Sequence, residues 1–190
     1  MASVLVVSDI FGRCDGLQCL CADLASVDSQ IRIIDPYQGK FQRFADEAAA
    51  YAAFTEQCGH VAYTELVQQA LQHHVDIAIG FSAGATALWR GLGDKAAQVK
   101  QARLYYPGQL HLHQNLVPNL PTQLFFGATE HHFNVDDIVR HLGRHNQVYA
   151  EKTPWQHGFM NPSSTSFSNE AYQQHLHQLL QMLADIQIGG

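Results

Sequence analysis

The chain contains no run of apolar residues long enough to cross a bilayer, and Met1-Ala2-Ser3 leads into a strand-like segment without a basic region or cleavage site. No membrane contact is expected, and the expected location is the cytoplasm. Basic residues are scarce, with 11 Lys and Arg against 17 Asp and Glu and a formal charge of −6. That balance repels polyanions and argues against nucleic acid or an anionic membrane as partner. Cysteine is limited to Cys14, Cys19, Cys21 and Cys58. Cys19-Leu20-Cys21 lacks zinc-site spacing and no second pair exists to close a tetrahedron, so reduced thiols and no metal are expected. Ser8-Asp9-Ile10-Phe11-Gly12-Arg13 is not a glycine-rich fingerprint, which argues against a dinucleotide-binding oxidoreductase. Repeats, linkers and low-complexity stretches are absent too, so residues 1–190 are expected to form one domain.

What the chain does have is alternation. Short segments rich in Val, Ile, Leu and aromatic residues predict strands at about 3–8, 30–34, 75–80, 101–106, 122–127 and 146–150. Between them helical spacing appears in Leu17/Leu20/Cys21/Leu24, Tyr63/Leu66/Val67/Ala70, Val135/Ile138/Val139/Leu142 and Leu176/Leu179/Leu180/Leu183. The fold class that follows is α/β, with right-handed crossovers giving a mainly parallel sheet of six strands between helical layers. Two connections, 35–74 and 108–121, exceed what a crossover needs, and long loops at strand ends build pockets. Candidate pocket walls are Phe11, Tyr37, Phe41, Phe44, Phe81, Phe133, Trp155 and Phe159, with Cys14 a further candidate close after the first strand.

Gly80-Phe81-Ser82-Ala83-Gly84 joins the apolar run Val75-Asp76-Ile77-Ala78-Ile79 to the helical run Ala85-Thr86-Ala87-Leu88-Trp89-Arg90. A serine in so sharp a strand-to-helix turn needs small residues two positions to either side, because the backbone doubles back there. The turn lifts the hydroxyl above the sheet edge. An acid and a histidine then follow in the chain order such a nucleophile requires: Glu130 after the strand-like Gln123-Leu124-Phe125-Phe126, and His157 after Gln147-Val148-Tyr149-Ala150. In a parallel sheet these loops share one edge, so Ser82, Glu130 and His157 can converge. Asp136 and Asp137 compete for the role of acid, but they begin a helical run, where carboxylates are favoured by the helix dipole.

With these motifs, the chain from about residue 4 to about residue 162 resembles the dienelactone hydrolase family of α/β-hydrolases. Asp9-Ile10-Phe11-Gly12, Ile33-Ile34-Asp35-Pro36-Tyr37, Tyr105-Tyr106, Phe126-Gly127-Ala128-Thr129-Glu130-His131 and His157-Gly158-Phe159 match its segments in order. The resemblance implies an α/β-hydrolase-like three-layer sandwich with strand order 2-1-3-4-5-6, lacking the N-terminal strand meander of the family. It implies a serine hydrolase acting on a small ester, thioester or lactone through Ser82, His157 and Glu130, without a cofactor. Backbone N–H groups of Ile10 and Ala83 would form the oxyanion hole. Asp9 stands where family enzymes place a glutamate that contacts the nucleophile, and a capping role for it weighs equally.

Three departures narrow the reading. The best-known members carry cysteine at the position of Ser82, and the acid is usually aspartate. Two arginines that clamp a substrate carboxylate fall here on Asn161 and on Gly39 beside Lys40, so dienelactone itself is not expected as substrate. The alternative is a catalytically silent scaffold that binds a small molecule, a metal or another protein. A homodimer is compatible with either.

The 12 histidines are the oddest compositional feature. His175 and His177, in a helical context, diverge by about 200° and are poor joint ligands. His111 and His113 have no evident acidic or cysteine partner, so surface histidines are the favoured reading. His131, beside Glu130, is expected at the pocket rim.

Overall fold

In the computed structural model, which describes residues 1–93 and 97–189, all six expected strands are present: β1 (Ala2–Val7), β2 (Ser29–Ile34), β3 (Val75–Phe81), β4 (Val99–Tyr105), β5 (Thr122–Phe126) and β6 (Val148–Lys152). Their order is β2-β1-β3-β4-β5-β6 and every pairing is parallel, so "mainly parallel" becomes wholly parallel among the described residues. The central strand β3 is buried along its whole length, as a sheet covered on both faces requires.

Among the described residues six α-helices join and flank the strands: α1 (Asp15–Leu24), α2 (Glu47–Gln57), α3 (Gly59–Ala70), α4 (Ala83–Leu92), α5 (Val135–Leu142) and α6 (Asn169–Gly189). The order reverses direction after β2. Right-handed crossovers therefore put α1 on one face and α3, α4 and α5 on the other. α1 packs against α6, and α3 against α4. The predicted stripes largely face the core, with one correction: Leu66 of α3 is 40% exposed. No helix among the described residues is long and apolar enough to cross a membrane.

The reversal of strand order lies between β1 and β3, where an open parallel sheet leaves a crevice at its carboxyl edge. The turn after β1 and the turn after β3 meet there. Gly84 makes the meeting close. A Cβ on it would lie 2.7 Å from the Val7 carbonyl oxygen and would also press on the Ser8 carbonyl.

Candidate active site

Ser82 sits between β3 and α4 with φ 48° and ψ −113°, a conformation that few side-chain-bearing residues adopt. Its surroundings hold it there. A Cβ at Gly80 would lie 2.9 Å from Ala85 Cα, which accounts for the small residue two places before the serine. The Ser82 N–H donates to Tyr105 O and its carbonyl accepts from Thr86 N–H, tying the turn to β4 and to the first turn of α4.

His157 comes from the loop after β6 and places Nε2 2.9 Å from Ser82 Oγ. Its Nδ1 lies 2.9 Å and 3.1 Å from the two carboxylate oxygens of Glu130. A carboxylate only accepts, so Nδ1 carries the proton, and Nε2 is free to accept from the serine hydroxyl. The Glu130 side chain is 6% exposed and has the geometry to fix that tautomer. Gly127 makes room for the contact, since a Cβ there would lie 2.9 Å from His157 N and 3.3 Å from Glu130 Oε1. Beside the imidazole lies the ring of Tyr106, centroids 4.9 Å apart, a buried neighbour from the turn after β4.

Ile10 and Ala83 line the same cavity as Ser82 and His157. Neither backbone N–H donates to another group among the described residues. Ala83 is the first residue of α4, where N–H groups are unpaired by construction and carry the positive end of the helix dipole. The Ile10 turn is braced from below. The Tyr37 phenol donates to Ile10 O at 2.6 Å, and the Tyr63 phenol donates to Ser8 O at 2.8 Å.

Asp9 does not hydrogen-bond to Ser82. It is buried, accepts from Phe11 N–H at 2.9 Å and accepts from Asn161 Nδ2 at 2.6 Å. Burial pushes its carboxyl up from an ordinary 3.8 to about 6, against the lowering effect of those two hydrogen bonds and of nearby His157. Asn161, at one clamp position, is thus engaged with Asp9. At the other, Gly39 N–H donates to Asp35, and Lys40 does not reach the cavity.

The cavity above Ser82 has a volume of about 390 Å³. Of the expected pocket residues, only His131 lines it; Asp9 and Phe11 reach a small recess alongside Ser82. The aromatic walls are a correction. Tyr37, Phe81 and Phe159 are buried in the core, and Trp155 packs on Phe159 and His175. Phe41 is 41% exposed, Phe44 packs on Tyr37, and Phe133 stacks on His111 at 5.0 Å, none of them lining the cavity. Cys14 opens on a different groove, with Phe44 and Ser163. The walls are instead polar: Glu47 and Tyr51 of α2, His60 of α3, Thr86, Gln109, His132 and Gln156 among them. α2 and α3 lie in the long 35–74 connection flagged by its length, but nothing in its sequence marked which face turns inward. Asp136 lies on the surface with Lys152 at 2.9 Å, away from His157. His175 is also corrected: it is buried among Tyr105, Phe125, Trp155 and Phe159, and burial pushes its pKa down to about 4.

The fold and this arrangement define the class: the chain has the α/β-hydrolase fold. No protein-family model matches the sequence, and no curated protein matches it. Solved structures do. A dienelactone hydrolase-like promiscuous phosphotriesterase from metagenomic libraries superposes with a TM-score of 0.68 at 17% identity, over 97% of this chain and 86% of that one. Est1E from Butyrivibrio proteoclasticus, solved with ferulic acid bound, gives 0.67 at 7% identity, over 100% and 90%. Dienelactone hydrolase from Anabaena variabilis gives 0.60 at 11% identity, over 95% and 86%. At such identities the likeness is one of fold.

Proposed function

We propose that the protein is a serine hydrolase that cleaves a small ester, thioester or lactone through an acyl-enzyme. The observation that carries this reading is the chain of contacts at the cavity floor, Ser82 Oγ to His157 Nε2 at 2.9 Å and His157 Nδ1 to Glu130 at 2.9 Å. In the proposed reaction His157 takes the Ser82 proton as Oγ attacks the substrate carbonyl. The tetrahedral oxyanion accepts from the N–H groups of Ile10 and Ala83. His157 then passes its proton to the leaving group, and a water attacks the acyl-serine by the same route in reverse. Glu130 accepts from His157 Nδ1 throughout and stabilises the imidazolium.

The hydrolases and esterase-like proteins that share the fold support the reaction class. The cavity's lining disfavours a carboxylate substrate, since no Lys or Arg among the described residues lines it and an unpaired desolvated anion costs several kcal/mol. Neutral short-chain esters should therefore outperform matched anionic ones. The test is hydrolysis of a panel of acyl esters, thioesters and lactones by the wild type and by Ser82→Ala. Loss of at least about 10³-fold in kcat/KM with unchanged thermal stability is expected. Undiminished turnover in Ser82→Ala, or none by the wild type, would overturn the reading.

A further inference from the structure

The cavity has an uneven electrostatic character. Glu130 is engaged with His157, which leaves Glu47 as the lining carboxylate without an ion pair to any described residue. Glu47 is the first residue of α2 and also lines the recess beside Ser82, together with Asp9. Its negative field contributes to holding the Asp9 proton on. Two carboxyl groups therefore flank the reacting centre on this side.

Tyr51 follows Glu47 by four residues on α2, one helical turn away and on the same face. Both line the cavity, and Tyr51 is 50% exposed, so its ring is available to a ligand. A carboxylate and an aromatic ring one turn apart are a poor receptor for an anion or for a plain hydrocarbon. They suit an alkylammonium group, which gains Coulomb attraction from the first and cation–π attraction from the second. The rest of the lining holds no Lys or Arg among the described residues; it combines the amides of Gln109 and Gln156 and the Thr86 hydroxyl with the imidazoles of His60, His131 and His132.

We propose that the substrate is an ester bearing an alkylammonium group, received by Glu47 and the Tyr51 ring while its carbonyl lies at Ser82. The proposal rests on the serine-hydrolase reading and deepens it. The positive group binds without changing charge, and the bonds made and broken remain those of acyl transfer to water.

The test compares isosteric pairs that differ only in charge. One pair carries the group in the alcohol part: 2-(trimethylammonio)ethyl acetate against 3,3-dimethylbutyl acetate. The other carries it in the acyl part: p-nitrophenyl 4-(trimethylammonio)butanoate against p-nitrophenyl 5,5-dimethylhexanoate. For the wild type, kcat/KM for the cation should exceed that for its isostere by about fivefold to tenfold in at least one pair, mainly through KM and less so at high salt. In Glu47→Gln that ratio should fall toward one, in Glu47→Lys it should invert, and in Tyr51→Leu it should shrink. Labelling of Ser82 by a fluorophosphonate reports that each variant retains a folded site. Hydrolysis of the neutral esters with no preference for either cation, or a preference that survives Glu47→Gln, overturns this proposal and leaves the hydrolase reading standing. Absence of any hydrolysis together with absence of labelling in the wild type overturns both.

Discussion

Asn161 donates from Nδ2 to Oδ2 of Asp9 at 2.6 Å, and this single contact joins the loop that carries His157 to the turn that carries Ile10. The same Asn161 accepts from Ser163 N–H, and the same Asp9 accepts from Phe11 N–H. Two loops remote in sequence are thereby set against each other beneath Ser82. The linking group is a neutral amide whose Nδ2 and Oδ1 are both engaged within the protein.

The raised Asp9 pKa has a consequence for stability. The carboxyl titrates near 6 in the folded protein and near 3.8 when unfolded. Below about pH 3 both states hold the proton and this group does not oppose folding. As pH rises toward 6 the unfolded chain releases the proton more readily, so stability falls, levelling at a loss of roughly 3 kcal/mol above pH 7. Denaturant unfolding of the wild type and Asp9→Asn between pH 3 and pH 8 isolates this contribution. The wild type should lose about 3 kcal/mol relative to the variant over that range, and a flat difference would show that burial does not perturb Asp9.

The second prediction separates Glu130 from its competitor. Glu130→Gln keeps the shape but removes the charge that stabilises the imidazolium, so kcat should fall by about 10²–10⁴-fold. Asp136 is 60% exposed and paired with Lys152 on the surface. Asp136→Asn should leave kcat near the wild-type value and cost no more than about 1 kcal/mol of stability. Steady-state kinetics of both variants on one neutral ester decides the matter.

A third prediction concerns the close approach of the two turns. Gly84→Ala drives a methyl group against the Val7 carbonyl oxygen, 2.7 Å away, and against Ser8, where backbone must move. Overpacking of this kind should cost about 1–3 kcal/mol and displace Ser82 from His157, lowering activity as well as the unfolding midpoint. Gly93, at the C-terminus of α4, has its nearest neighbour 3.5 Å from an added Cβ and an ordinary φ of −70°. Gly93→Ala should be neutral or stabilising by up to about 1 kcal/mol.

Much of the fold was legible because parallel strands buried on both faces must be short and apolar. Val75–Phe81 and Thr122–Phe126 are such runs, and each observed strand end falls within two residues of its expected place. The meeting of Ser82, Glu130 and His157 was legible for a related reason: all three follow strand ends on one edge. The cavity walls were not. Tyr37, Phe81 and Phe159 carry large apolar areas that are more favourably buried than exposed, and a sequence does not distinguish a ring facing a core from one facing a pocket. Glu47, Tyr51 and His60 were missed because a polar residue on a surface helix looks alike whether it faces solvent or a cleft. Asn161 was noticed only as a missing arginine, since its bond to Asp9 spans 152 positions.

The central claim is that Ser82 is a nucleophile activated by His157, and intact-mass measurement after exposure to a fluorophosphonate tests it most directly. The wild type should gain the mass of one phosphonyl group, at Ser82 by peptide mapping. Ser82→Ala should gain none, and His157→Ala should react at least about 10²-fold more slowly. An unlabelled wild type, or labelling that persists in Ser82→Ala, would contradict the account.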